Sequence, residues 1–175
     1  AFPHYLTGIS LVDSAGSVTR FSTFAYDNIT GKAITTQHAQ TNNGAPQERF
    51  ALAYDVPLSN QTTITDAVGN KEILTFATNL GVKNLVSKLN QGDNKTLIQT
   101  FDTNNNLNCK QDEEGHVTTS IYNTTNQRTS QTIGLTGTCS APATTSATRT
   151  TTYQYLSTAL DLPTMIESPS VAGGS

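Results

Sequence analysis

Side chains with the means to do bond-making chemistry are thinly spread in this chain. Three histidines, His4, His38 and His116, stand far apart, whereas a zinc site needs a closed set of Cys, His or carboxylate ligands. Cys109 lies close to His116 in sequence, yet no second pair completes such a set. Asp102, Asn104 and Asn106, with Glu113 further on, imitate the spacing of a calcium-binding loop. Leu107 occupies the place where that loop needs glycine, and both flanks read as strands, so an Asn-rich hairpin turn is expected instead. There is no Gly-x-Ser-x-Gly elbow and no phosphate-binding glycine loop. Asp112-Glu113-Glu114 reads as a solvated turn at a hairpin tip. What remains is noncovalent: Tyr26, Tyr54, Phe101 and Tyr122 recur at one repeat position. Aromatic faces beside Asn, Gln and Asp could stack on a sugar ring. The same aromatics could instead pack hairpin against hairpin, which is the commoner use of regular aromatics. No enzyme, no cofactor and no metal are expected.

The elements that carry these aromatics repeat. Phe101-Asp102-Thr-Asn-Asn105 and Tyr122-Asn123-Thr-Thr-Asn126 are the same motif about twenty residues apart. Between them lies Asp112-Glu-Glu-Gly115-His116, related to Asp13-Ser-Ala-Gly16-Ser17 and Asp66-Ala-Val-Gly69-Asn70. Asp and Asn open turns because the side chain bonds the backbone two residues on; Gly and Asn close them because they tolerate positive φ. Asn105 and Asn126 therefore stand where glycine is usual. A fixed short period implies stacked units, each too small to bury a core alone.

Strands fill the spaces between turns. None of the 175 residues falls into a long amphipathic helical rhythm. Strands are expected at about 18–26, 32–39, 48–55, 60–65, 70–78, 82–89, 95–101, 106–111, 116–122 and 127–133, with another over Arg149–Tyr155. Residues 40–46 and 134–146 read as longer loops, Leu160–Ile166 as a segment able to extend the sheet, and 167–175 as a flexible tail. The fold class is all-β. Charged residues make up 13% of the chain and the net charge is −3, so no basic footprint for nucleic acid exists. No apolar run is long enough for a membrane-spanning helix. Cys109 and Cys139 either pair or remain free thiols; the low charge and the Thr/Asn-rich surface favour an oxidising setting and a disulfide. Sequons at Asn28, Asn60, Asn94 and Asn123 follow from an Asn/Thr-rich composition.

The motifs resemble the RHS or YD-repeat family, whose unit runs Tyr-Asp-x-x-Gly, then Asp-x-x-Gly-Asn and a return strand. Tyr26-Asp27-Asn-Ile-Thr-Gly31-Lys32 matches with one residue inserted before the glycine. Tyr54-Asp55 keeps the dipeptide but carries Val-Pro-Leu58 after it, and Phe76-Ala-Thr-Asn79-Leu-Gly81 resembles a worn copy. Phe101-Asp102 and Tyr122-Asn123 are in near-ideal register, and Tyr153 and Tyr155 lie on one more return strand. The resemblance covers about residues 11–166 and treats 1–175 as a single repeat segment.

That resemblance implies consecutive antiparallel β-hairpins in a wide curved sheet, an open segment of a shell. In bacterial polymorphic toxins and toxin complexes such a shell surrounds a cytotoxic polypeptide, and teneurins carry a similar one. By this resemblance the chain is a non-catalytic module of a large exported bacterial protein, secreted or at the cell surface, with neighbouring repeats and a polypeptide cargo as partners. The self-cleaving Asp-based motif of some family shells is absent, since Pro169-Ser-Val-Ala-Gly does not match it. Ala1-Phe-Pro-His opens without Met or a signal pattern, so the chain is expected to be a piece of a longer protein. Two further expectations stand beside these: a glycan-binding adhesin module using the aromatic ladder, and self-association through open sheet edges.

Overall fold

A computed structural model describes residues 4–40, 46–157 and 162–169. The fold is all-β, with fourteen strands among the described residues and no helix. In chain order they are β1 (Gly8–Val12), β2 (Val18–Tyr26), β3 (Ala33–Gln40), β4 (Pro46–Tyr54), β5 (Gln61–Thr65), β6 (Lys71–Asn79) and β7 (Val82–Asn90). They continue as β8 (Lys95–Phe101), β9 (Leu107–Gln111), β10 (Val117–Tyr122), β11 (Arg128–Thr138), β12 (Ala141–Ala143), β13 (Arg149–Gln154) and β14 (Met165–Glu167).

Two compact units divide the chain: Ala1–Thr75 with Asn90–Asn94, and Phe76–Leu89 with Lys95–Ser175. In the first, β1 to β5 and the Lys71–Thr75 part of β6 pair antiparallel in chain order. Cross-strand register sorts the side chains by face, because alternate residues of a strand point to opposite sides. Phe24, Thr36 and Phe50 stand abreast, as do Leu52, Ile64 and Glu72, and this row carries the apolar groups of Phe24, Phe50, Leu52 and Ile64. Thr23, Gln37 and Arg49, with Ala51, Thr65 and Lys71, face the other way. Phe50 remains 45% exposed, so this apolar face is only partly covered.

In the second unit β8, β9, β10, β11, β13 and β14 pair antiparallel in succession, and β12 folds back onto the end of β11. Here a small core forms from Cys109, Val117 and Leu135, with Cys139 packed against it. Val117 stands opposite both Gln111 and Leu135, so it lies at the centre of three strands and is fully buried. A disulfide joins Cys109 on β9 to Cys139, a sequence separation of 30 that ties the β11–β12 turn to a strand two places away.

The loop expected over residues 134–146 is a correction. β11 continues to Thr138 and turns back as β12, because Gly134 and Gly137 take φ of 72° and 89° and let an extended strand bend without breaking. A Cβ at either glycine would lie 2.5 Å from a carbonyl oxygen of the facing chain, Ala147 or Ala141. β1 was also not among the expected strands, although the Asp13 turn that follows it was. Within residues 160–166, Met165 and Ile166 do extend the sheet by pairing with Gln154 and Tyr153. The expected tail begins with Glu167, which is the last residue of β14; positions 170–175, and 41–45 of the first expected loop, lie outside the described residues.

The disulfide closes a loop spanning 30 positions, so replacing both cysteines by serine should cost about 3.5 kcal/mol in the loop-entropy account. Urea unfolding of the Cys109→Ser/Cys139→Ser variant checks this. A midpoint equal to that of the oxidised parent would remove the disulfide from the account of stability.

Candidate functional site

One local structure is built five times. At Asp13, Asp66, Asp102, Asp112 and Asn123 the first residue's N–H donates to the carbonyl four positions on, at 2.9 to 3.0 Å. The fourth residue's N–H donates back to the first residue's carbonyl. This is a three-residue hairpin loop whose last position needs positive φ. Gly16, Gly69, Asn105, Gly115 and Asn126 supply it, with φ between 66° and 94°. In every copy Oδ1 of the opening Asp or Asn accepts the N–H groups two and four residues later. The strand residues flanking each turn are then in register: Val12 with Val18, Thr65 with Lys71, Phe101 with Leu107, Gln111 with Val117, and Tyr122 with Arg128.

In four of the five turns the fifth residue closes a second bond with the opening side chain. Nδ2 of Asn70 and of Asn106 donates to Oδ2 of Asp66 and Asp102, at 2.8 and 3.0 Å, and His116 Nδ1 lies 3.0 Å from Asp112 Oδ2. At Asn123 the polarity reverses: Nδ2 of Asn123 donates to Oε1 of Gln127 at 2.8 Å. A polar side chain four residues after each opening residue was the available signal.

These bonds hold the carboxylates below the usual range. For Asp66 the main cause is the Asn70 side chain, aided by turn amides. For Asp102 and Asp112 partial burial pushes upward, but hydrogen bonds from the fifth residue and from the turn amides together outweigh it. Asp27 is lowered too, chiefly by the Thr30 amide and hydroxyl.

The other motif copies depart from this plan. The Asp27 turn holds the inserted residue, with Gly31 N–H donating to Asp27 carbonyl and Asp27 N–H to Lys32 carbonyl. Asp55 itself takes φ of 59°, and its carboxylate meets Lys32 Nζ at 3.4 Å rather than capping a turn. At Asn79-Leu80-Gly81 the supposed worn copy is a two-residue hairpin turn, with φ positive at both Leu80 and Gly81. Its sequence signal was the Leu-Gly pair, not the motif. The tip at Asp112-Glu113-Glu114 is not simply solvated either: Glu113 pairs with Lys88 at 2.7 Å and Glu114 with Lys95.

Between turns, side chains stitch one hairpin to the next. Asn79 Nδ2 donates to Asp102 carbonyl at 2.9 Å, and Asn106 Nδ2 donates to Asn126 Oδ1 at 3.0 Å. Gln127, almost fully buried, donates through Nε2 to Ser157 carbonyl at 2.8 Å. The tyrosines do the same from the strands. Tyr122 donates to Leu107 carbonyl at 3.1 Å, and Tyr155 to Arg128 carbonyl at 2.9 Å. Leu107 and Arg128 are the first strand residues after the Asp102 and Asn123 turns, so each hydroxyl bonds the start of an earlier return strand. In the first unit Tyr26 donates to Leu6 carbonyl at 3.0 Å and packs on Tyr5.

Two clefts lie beside the aromatic positions. In the first unit Asp27, Lys32, Tyr54 and Asp55 line one of about 280 Å³, with Lys32 Nζ 4.8 Å from the Tyr54 ring centre. In the second, Tyr122, Asn126, Gln127, Arg128, Tyr153 and Tyr155 line one of about 300 Å³, with the Arg128 guanidinium 4.8 Å from the Tyr153 ring centre. Tyr122, Tyr153 and Tyr155 are thus brought together, Asn123 is tied to them through its bond to Gln127, and Phe101 through its cross-strand partner Leu107. Among the described residues no group of three or more His, Cys, Asp or Glu side chains could hold a metal ion, and no helix is long and apolar enough to cross a membrane. No family model and no curated protein matches the chain.

A Cβ at Gly115 meets no atom within 4 Å, so only its φ of 85° resists a side chain. Gly115→Ala should cost about 1–2 kcal/mol, and Gly115→Asn much less, in urea unfolding. Acid should act through the turns. Asp66 and Asp102 titrate lower folded than unfolded, so their contribution is complete above the unfolded value of about 3.9 and is lost as pH falls through the lower folded values. Stability followed from pH 6 to pH 2 should therefore drop below about pH 4, and the drop should shrink in Asp66→Asn/Asp102→Asn. An unchanged profile in that variant would show that the turns do not set it.

Proposed function

We propose that this chain is a non-catalytic structural module, an RHS/YD-like repeat segment that builds part of a β-shell around a polypeptide cargo in a large exported bacterial protein. One observation carries the reading: the same turn recurs at five places among the described residues, and hydroxyl or amide bonds link neighbouring hairpins of the second unit. Such a device does one thing well. It adds hairpins in a fixed register without limit, because each turn sets its own strand pairing and each stitch sets the spacing to the next. The opening side chains of these turns and the hydroxyls of Tyr122 and Tyr155 are engaged in this construction, which supports a building role for them.

A shell could hold a cargo unfolded by denying it room to collapse, and the partly covered apolar row of Phe24, Phe50, Leu52 and Ile64 would face an unfolded chain usefully. In the parent protein the cargo polypeptide should resist protease at concentrations that digest it once the sheet is opened. Opening can be engineered with Tyr122→Phe/Tyr155→Phe, which removes two hairpin-to-hairpin bonds while leaving the rings. Limited proteolysis with mass spectrometry reads the result. A cargo that is folded and cleaved freely in the intact parent would end the shell reading.

A further inference from the structure

The cleft of the second unit has properties that sheet-building does not use. Tyr122, Tyr153, Tyr155 and Pro163 line an open space of about 300 Å³, at the small end of ligand pockets. Its floor is the end of the Asn123 turn. Most acceptor atoms there are already taken. Gln127 Oε1 receives Asn123 Nδ2 and the Thr125 hydroxyl, and Asn126 Oδ1 receives Asn106 Nδ2.

Donors are in surplus. A guanidinium carries five N–H groups in a planar fork, and the Arg128 fork sends one hydrogen bond, from Nη2 to Tyr153 Oη at 3.2 Å. The Asn126 amide nitrogen adds two more N–H groups at the rim. Among the described residues lining this cleft there is no carboxylate, and Arg128 is the one formal charge among them.

The matching cleft of the first unit makes the contrast. It also sets a cation over a tyrosine, Lys32 over Tyr54, but Asp27 and Asp55 line it and Asp55 meets the ammonium at 3.4 Å. Among the described residues, then, the first arrangement includes a counter-ion and the second does not. A fork of N–H donors fits a carboxylate two bonds at a time. Around it, the phenol oxygens of Tyr122 and Tyr155 donate to backbone carbonyls but keep lone pairs for incoming hydroxyls. Flat aromatic walls, acceptors for hydroxyls and a donor fork for an oxyanion describe a hydroxylated ring that carries a carboxylate.

We propose that the cleft between the Asn123 turn and strand β13 binds a uronate residue of an acidic glycan, its carboxylate on Arg128 and Asn126 and its ring on the tyrosine walls. The site shares Tyr122, Tyr155 and Asn126 with the sheet-building role but uses donors that role leaves over.

The test is isothermal titration of the whole chain with tri-galacturonate, with neutral trigalactose and sodium acetate as comparisons. Tri-galacturonate should bind saturably with Kd below about 1 mM, at least tenfold tighter than trigalactose, and acetate should not compete at equal concentration. Arg128→Gln should weaken binding at least tenfold. Because Arg128 also packs on Tyr153, Asn126→Asp is the second variant. It keeps a residue that accepts positive φ and the oxygen that Asn106 needs, but sets a negative charge at the rim, and it too should lose at least tenfold. Thermal melting verifies that each variant is folded. No saturable binding, equal binding of the neutral sugar, or full binding retained in folded Asn126→Asp would overturn the proposal.

Discussion

An Asp or Asn oxygen that receives two backbone N–H groups of its own turn is the constraint from which most of this structure follows. A three-residue loop leaves those N–H groups without strand partners, and in these mostly exposed turns each side-chain bond contributes about 0.5–1.5 kcal/mol. The opening side chain satisfies both at once, in all five copies. With the turn closed in one geometry, the flanking pair is fixed, and a strand of period two then has no freedom over which residues face which side. Register, facing rows and the position of each aromatic relative to the preceding return strand are consequences.

Low charge and abundant threonine make sense within that frame. A sheet with few fully buried apolar side chains draws less on core packing than an ordinary domain does; among the described residues only Cys109, Val117 and Leu135 are buried hydrophobics. Cross-strand pairs and lateral hydrogen bonds carry more of the load, each worth about 0.2–1 kcal/mol relative to alanine pairs. Thr132 with Thr150 is one such pair, at 2.8 Å between hydroxyls. The disulfide secures the one place where a core does form.

Much of the plan was legible in the sequence because its signals are local. Asp-x-x-Gly and Asp-x-x-Asn mark a turn whose chemistry lies within five residues, so the turns and most strands could be placed from residue type alone. What escaped depended on long-range partners. Glu113 looks solvated until Lys88, on another hairpin, is seen beside it. The 134–146 segment looks like a loop until Cys139 is tied to Cys109 and Gly134 and Gly137 are seen bending a strand. Asp55 has the motif's residue but not its following glycine, and its role passes to an ion pair with Lys32. The cleft at Arg128 was half visible: its tyrosines recur in the sequence, but the surplus of donors can be counted only when every neighbouring acceptor is located.

The reversed bond at Asn123 and Gln127 imposes a rule of inheritance. Where the fifth residue bonds an opening carboxylate, it must donate, as Asn70 and Asn106 do; where the first is an amide, the fifth can accept, as Gln127 does. A single exchange of Asp for Asn sets donor against donor unless the partner amide rotates, and rotating Asn106 would surrender its bond to Asn126. First and fifth positions of each turn should therefore change together among descendants of this chain, as paired letters rather than independent ones, and the pairing should be tightest where the fifth residue also reaches the next hairpin.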